Sequence, residues 1–556
     1  MQKPASGRHS RQGKAAILRR RPLALGISVL LFGGSLSTQA VAQAFPDSIN
    51  LGSLDGANGF RIDGVGAGDW SGISVSAAGD INDDGLSDLI IGARHADPNG
   101  IIYAGSSYVV FGQSTPFAGI VALSGLDGNN GFRIDGMALG DQSGISVSAA
   151  GDINGDGIGD LVIGAWAADP NGLDTAGSSY VVFGHSTPFA ATLALGNLNG
   201  DNGFRLDGEA AGDYSGQSVS AAGDVNGDGL ADLIVGAWAA DPNGLIAAGS
   251  SYVVFGQQTP FEATVALSGL NGTNGFRLDG VAEFDHSGRS VSAAGDINGD
   301  GLADLIVGAY GADPNGLSAA GSSYVVFGQT TPFEATVPLS DLNGANGFRL
   351  DGVAGVDFSG STVGAAGDIN GDGIGDLIVG AFLADPKGIS NAGSSYVVFG
   401  KNTPFAATVA LSDLNGANGF RLDGVAAYDY SGRSVSAAGD INGDGLADLI
   451  IGARGADPSG LSHAGRSYVV FGRRTSFAAA VVLSDLDGAN GFRLDGVAAN
   501  DYSGRSVSAA GDINGDDLGD LIVGAFGADP NGLNEAGSSY VVFGRKPELI
   551  FSDSFE

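Results

Sequence analysis

There is no cysteine in this chain of 556 residues, and only two methionines, three tryptophans and five histidines. Without cysteine there is no disulfide and no thiolate metal site or nucleophile, so stability outside the cell has to come from packing and ions. Positive charge is scarce too, with 26 lysines and arginines against 61 aspartates and glutamates. Seven of those basic residues (Lys3, Arg8, Arg11, Lys14, Arg19, Arg20 and Arg21) fall in the first 42 positions, where there is no acid. The remainder sets 19 basic residues against 61 acidic ones, a net charge of −42. Such a surface repels nucleic acid and anionic membrane, so neither is expected as the main partner. Long apolar runs are missing as well, apart from Leu23 to Phe32. That run follows the basic stretch and precedes Ala40-Val41-Ala42, an A-x-A cleavage site, so residues 1–42 read as a secretory signal peptide. The arginine pairs are compatible with twin-arginine export. A membrane anchor is the alternative, which the short, glycine-interrupted run disfavours, and no other stretch is long enough to span a bilayer.

What the chain has in abundance is repetition. Nine residues recur every 72 positions: DINDDGLSD from Asp80, DINGDGIGD from Asp152, DVNGDGLAD from Asp224, DINGDGLAD from Asp296, DINGDGIGD from Asp368, DINGDGLAD from Asp440 and DINGDDLGD from Asp512. The pattern D-x-[ND]-x-D-G-x-x-D is an oxygen-rich loop of the kind that surrounds calcium, a hard cation taking six to eight oxygen ligands. Seven copies in strict register make a strong motif of one that is moderate alone. The 97 glycines and 17 prolines recur at fixed places in each unit, so they mark turns rather than disorder.

Each unit holds four strand candidates, which in the third copy read SVSAAG, DLIVGA, SSYVVFG and GFRLDG. The second and third are continuous apolar runs, as expected of a small sheet covered on both faces. The first is built from small residues, which suit strands crowded around an axis. A four-stranded unit repeated seven times predicts an all-β, seven-bladed β-propeller over residues 49–545, with 43–48 a short linker and 546–556 a C-terminal tail. A linear solenoid is the runner-up, but it needs polar caps that are not seen. GFRLDG follows only six of the SSYVVFG segments; the missing copy stands at the other terminus, Gly59 to Asp63. It is therefore expected to close the last blade by pairing antiparallel with Ser538 to Phe543, hiding both open edges.

SGxSVSAAGDxNGDGxxDLIVGA followed by AGSSYVVFG resembles the FG-GAP repeat of the integrin α-chain propeller, and the likeness runs through nearly the whole chain after the leader. It departs from that pattern in two places: the Phe-Gly is replaced by a variable residue before Ser-Gly, and Gly-Ala-Pro has lost its proline. No leg domain or membrane-spanning helix follows in the twelve residues after Gly544, so the likeness is to a propeller module. The resemblance implies calcium in the loop between the first and second strands, up to seven ions in all. Carried over position by position, the ligands are Asp80, Asn82, Asp84, the Leu86 carbonyl and Asp88 in the first loop, and Asp152, Asn154, Asp156, Ile158 and Asp160 in the second. The third has Asp224, Asn226, Asp228, Leu230 and Asp232; the fourth Asp296, Asn298, Asp300, Leu302 and Asp304; the fifth Asp368, Asn370, Asp372, Ile374 and Asp376. The sixth has Asp440, Asn442, Asp444, Leu446 and Asp448, and the seventh Asp512, Asn514, Asp516, Leu518 and Asp520. The seventh carries Asp517 where the turn wants glycine, so its site is expected to be the weakest. The alternative is a set of Asx turns without metal, which the mutual repulsion of three close carboxylates disfavours.

No Ser-His-Asp, zinc or phosphate-loop pattern stands out, and the histidines fall at different places in the unit, so no catalytic residue is expected. A residue present in every unit reads as architectural; the Arg of GFRxDG is expected to pair with the Asp two positions on. Function is sought where the units differ. One variable set follows the second strand: Arg94, Trp166, Trp238, Tyr310, Phe382, Arg454 and Phe526. Its aromatic rings, Trp166, Trp238, Tyr310 and Phe526 among them, either stack on a ligand or wedge between blades. The other set follows Ser-Gly: Ile73, Ile145, Gln217, Arg289, Ser361, Arg433 and Arg505. Arg289, Arg433 and Arg505 either bind an anionic group or pair with Asp285, Asp429 and Asp501. Both sets are expected at the end opposite the acidic loops. The reading is an exported, secreted, cell-surface or periplasmic adhesion or recognition module, monomeric, with an extracellular protein or glycan ligand. A carbohydrate-active enzyme such as a polysaccharide lyase and a purely structural surface protein are the alternatives.

Overall fold

Ser, Val, Ala and Gly at the head of each repeat give a strand with little bulk, and these strands stand next to one another around the axis of a ring. In a computed structural model describing residues 45–546, the chain forms seven five-stranded sheets and no α-helix, a seven-bladed β-propeller. The signal peptide expected over 1–42 and most of the tail lie outside the described residues. Among the described residues no helix is long and apolar enough to cross a membrane.

The chain enters through β1 (Ser48–Asn50) and β2 (Gly59–Asp63), and the first blade then runs β3 (Ser74–Gly79), β4 (Asp88–Ala93) and β5 (Ser106–Val110). β6 (Ile120–Ala122) follows, and β7 (Gly131–Asp135) returns to complete that blade. β3, β4, β5 and β7 are antiparallel neighbours, the four strands expected from the sequence. Ser74 faces Gly92 and Gly79 faces Asp88, so the acidic loop joins one pair of strand ends and the variable residues sit at the other. Every residue of β4 and β5 is buried, because the core lies between blades: Ile90 and Val109 of the first pack with Leu161 and Ile163 of the second. The glycine of the second strand is set by this contact. A methyl group added at Gly308 would lie 2.0 Å from the carbonyl oxygen of Gly360 in the next blade.

The fifth strand was not expected. β6 pairs in parallel with β2, which belongs to the last blade, and each later connection likewise adds a three-residue strand to the blade before it. The connection also carries a phenylalanine onto its neighbour: Phe117 stacks on Phe60 at 4.2 Å and Phe189 on Phe132 at 4.3 Å. Three exposed or half-buried residues are too short a run to show a period, so only turn chemistry was legible there.

β2 pairs antiparallel with Ser538–Val542, Gly59 opposite Val542 and Asp63 opposite Ser538, which is the expected ring closure. Closure extends further than expected. β1 pairs in parallel with Gly491–Asp495 of the sixth blade, and Phe45 is buried, stacked on Phe492 at 4.3 Å. The described part of the segment read as a linker is thus the missing connection of the seventh repeat. Its Phe-Pro order, reversed from the Pro-Phe of five of the other six copies, hid the equivalence. Hydrogen bonds run round the axis as well: the Ser74 hydroxyl accepts the Val147 amide, and Ser506 accepts that of Val75 across the closure.

The expected Arg–Asp pairs form in six repeats, as in Arg61 Nε to Asp63 Oδ1 at 2.6 Å. The seventh differs. Arg466 stands where the other units have serine and takes Asp495 at 2.5 Å, while Arg493 turns to Asp47 of the closing segment at 3.0 Å.

Candidate functional site

The acidic loops fold around their own side chains. In the first, the two oxygens of Asp80 accept the amides of Asp84 (3.1 Å) and Gly85 (2.8 Å), Asn82 Oδ1 accepts the Asp84 amide at 2.9 Å, and Asp84 Oδ1 accepts that of Leu86 at 2.9 Å. Asp88 anchors the loop. It is fully buried, with Oδ2 accepting the Ile81 amide and Oδ1 that of Gly112. Burial, and then the charges of Asp84 and Asp80, push its carboxyl up to about 7. The same pattern recurs around Asp160, Asp232, Asp304, Asp376, Asp448 and Asp520.

The loops also join one blade to the next. The carbonyl of Asp80 accepts the Gly159 amide at 3.1 Å, and the series closes with Asp512 accepting that of Ser87 at 3.1 Å. The Ile81 carbonyl likewise accepts the amide of His185. Whatever orders a loop therefore orders the boundary between two blades.

The donor set is all oxygen, which suits calcium or magnesium and not a soft metal. Among the described residues no loop carboxylate has a lysine or arginine ion-pair partner. A carboxylate that accepts one amide per oxygen keeps lone pairs for a cation. Among the described residues no three His, Cys, Asp or Glu side chains stand together as a metal cluster, so an ion here has to draw on the Asn amide and main-chain oxygens as well. In the seventh loop Asn514 Oδ1 is buried without a hydrogen-bond partner, an oxygen suited to a cation. Asp517 adopts the left-handed conformation its glycine counterparts take, at φ 65°. Sequence reading missed the matching feature of the first loop, where Asp83 occupies a left-handed position at φ 61° and the other loops have glycine.

At the opposite strand ends the variable residues form a girdle. Tyr214 stacks on Trp238, His286 on Tyr310 and Tyr502 on Phe526; Phe526 meets Trp70 edge-on, and Arg94 lies over the Trp70 ring at 4.9 Å. Trp166 packs against Tyr214 of the next blade and donates to Gln142 at 3.3 Å. All are half-buried, and the rings wedge between blades while keeping part of each face exposed.

Inside the girdle the residues after Ser-Gly line the channel. Ile73, Ile145, Gln217, Arg289, Ser361, Arg433 and Arg505, each with the Ser or Thr that follows, enclose a cavity of about 180 Å³. Arg289 and Arg433 also wall a cavity of about 240 Å³ with Tyr310, Phe358, Ser361 and Phe382. The alternative pairing with Asp285, Asp429 and Asp501 does not occur. Those aspartates are turned back to accept the amides of Ala282, Ala426 and Ala498. Desolvation pushes each of the three up to about 6.

Exposed apolar side chains gather on the loops at this end. Leu139, Phe284, Val356, Tyr428, Ile102 and Ile246 all lie there, and of the large exposed hydrophobics among the described residues only Ile120 lies elsewhere. This patch was not legible, because single apolar residues in polar loops carry no period. The histidines do not converge: His95 packs on Trp70, His185 on Phe189, His286 on Tyr310 and His463 on Tyr502.

The FG-GAP repeat model matches residues 71–110, 143–182, 215–254, 287–326, 359–398, 431–470 and 503–542. The chain belongs to the FG-GAP repeat family and is integrin-α-like. It is 29% identical over 271 residues to Integrin alpha pat-2 of Caenorhabditis elegans, covering 48% of this chain and 20% of that protein. It is 31% identical over 240 residues to Integrin alpha-5 of Xenopus laevis, covering 43% of this chain and 20% of that protein. A shorter match, 33% over 125 residues, is to Phosphatidylinositol-glycan-specific phospholipase D of Bos taurus, covering 22% of this chain and 14% of that protein. The chain thus spans about a fifth of the length of the integrins it matches.

Proposed function

We propose that this protein is an exported, calcium-binding propeller that acts as an adhesion or recognition module, taking an extracellular protein or glycan on the end of the ring opposite the acidic loops. The observation that carries the reading is the segregation of exposed apolar side chains. Leu139, at 73% exposure, and Phe284, Val356, Tyr428, Ile102 and Ile246 stand on loops at one end only. Large apolar groups exposed together on one face mark a contact surface. The acidic loops at the other end would hold up to seven calcium ions through the five oxygens predicted for each, and their role in the reading is to fix the blades. Similarity to integrin α chains supports the recognition half.

The test is a binding screen against glycans and cell-surface proteins in calcium and in EGTA, with Leu139→Ser/Phe284→Ser/Tyr428→Ser as the surface variant. Binding that needs calcium and is lost in the variant supports the reading. A protein that binds nothing at that end while melting normally would support the structural role instead, and substrate turnover in the same screen would support the enzyme reading.

A further inference from the structure

The channel mouth gathers positive charge that the protein does not neutralise. Arg289, Arg433 and Arg505 line it, and Arg94 and Arg454 stand close enough to act on them by charge. Among the described residues none of the five takes part in an ion pair or a side-chain hydrogen bond to a carboxylate. The buried Nε groups of Arg94 and Arg454 have no acceptor at all. This is unusual in a chain with more than twice as many acids as bases, whose Asp285, Asp429 and Asp501 are turned away to main-chain amides. The guanidiniums are held in place by rings: Arg433 lies over Phe382 at 5.2 Å and Arg454 over Tyr430 at 5.6 Å.

We propose that the channel mouth binds a small multivalent oxoanion, either free sulfate or phosphate or the phosphate monoester terminus of a larger ligand. Guanidinium forks match tetrahedral oxoanions with paired hydrogen bonds. A cavity of about 180 Å³ admits one such group and excludes a polyanion chain, which the acidic exterior repels. Channel hydroxyls such as Thr362, Ser434 and Ser506 also line the cavity. Two or more negative charges are needed because the cluster is itself under repulsion. The Arg505 charge and burial drive Arg433 well below its ordinary value, and burial with the charges of Arg289, Arg454 and Arg94 brings Arg505 down to about 9. As an ester, the group deepens the recognition reading and rests on it; as a free ion it stands alone.

The experiment is thermal melting and calorimetric titration of the purified protein in Tris-chloride with calcium, comparing sodium sulfate with sodium chloride at equal ionic strength. Sulfate is expected to raise the melting temperature by several degrees and to bind once per chain, with chloride inert. Arg433→Gln/Arg505→Gln is expected to abolish the sulfate response and, by relieving repulsion, to melt no lower than the parent without sulfate; Arg289→Gln serves if the double variant does not fold. Galactose 6-phosphate beside galactose and inorganic phosphate separates the sources: tighter binding than phosphate identifies an ester terminus, weaker binding a free ion. A sulfate response no larger than that of chloride, or one unchanged in the variants, overturns the proposal. Retention of protein or glycan binding in those variants would leave the recognition reading standing.

Discussion

Replacing Phe45 by alanine separates a docked closing segment from a loose N-terminal tail. Phe45 is 1% exposed, stacks on Phe492 and packs in the core that joins the sixth and seventh blades. Truncating a buried phenylalanine costs about 3–5 kcal/mol through lost transfer energy and the cavity left behind. The entropy of unfolding is about 2.1 cal/mol/K per residue, or roughly 1 kcal/mol/K for a ring of about 500 residues, so the melting temperature should fall by ~3–5 °C if the ring unfolds as one. Phe261→Ala, the internal counterpart that stacks on Phe204 at 4.2 Å, sets the scale. Asp47→Ala supplies the contrast. Its ion pair with Arg493 leaves Asp47 62% exposed, and an exposed pair is worth less than about 1 kcal/mol. Differential scanning calorimetry of the three variants is the assay. If Phe45→Ala melts with the parent while Phe261→Ala does not, the segment before β1 is not part of the closure.

Chelation should lower the melting temperature by several degrees: at millimolar calcium and dissociation constants of about 10⁻⁴–10⁻³ M, each filled loop adds ~0.4–1.4 kcal/mol, and seven add up. Unchanged melting in EGTA would remove calcium from the account. Asp517→Gly should relieve a strained turn by about 0.5–1 kcal/mol and tighten the seventh calcium site, seen as a small rise in melting temperature with calcium; a fall would show that the Asp517 side chain is needed. Asp285→Asn should be neutral near pH 4 and stabilising by about 1–3 kcal/mol above pH 7. Burial raises the folded carboxyl to about 6, so its ionisation weakens the fold as pH climbs from about 4 to 6, while the amide oxygen still accepts from Ala282. Equal melting shifts at both pH values would refute this.

How much of this was legible follows from the kind of signal each part carries. The four long strands, the loop positions and the antiparallel closure by Gly59–Asp63 rest on periodicity and on counting copies, which seven repeats amplify. The parallel fifth strand and Phe45 rest on pairing between blades, and nothing in a three-residue edge strand announces its partner. Arg466 illustrates the same limit: a single serine-to-arginine change in one repeat redirects Arg493 to Asp47, which only the assembled ring reveals. At the variable end, sequence placed the arginines opposite the acidic loops but left open whether aspartates satisfied them. That depended on side-chain direction, and Asp285, Asp429 and Asp501 point to main-chain amides instead.

The two ends of the ring differ because strand polarity makes them differ. In an antiparallel blade the turn after the first strand and the turn after the second emerge at opposite ends, so a motif fixed in one leaves the other free. The acidic turns hold neighbouring blades together, from the Asp80–Gly159 bond round to Asp512–Ser87, and any change in one is felt at two boundaries. The turns at the other end are fixed to the scaffold by buried aspartates such as Asp213, which accepts the Ala210 amide, while their outward residues touch little. Seven near-identical blades can therefore carry unlike residues there at small cost to the fold. Arginine in the channel at only the fourth, sixth and seventh blades, and an exposed phenylalanine at position 284 where the three preceding repeats have Gly68, Gly140 and Gly212, are departures that the repeat itself does not require. In a protein whose architecture is written seven times over, such departures are where selectivity for a ligand has room to arise.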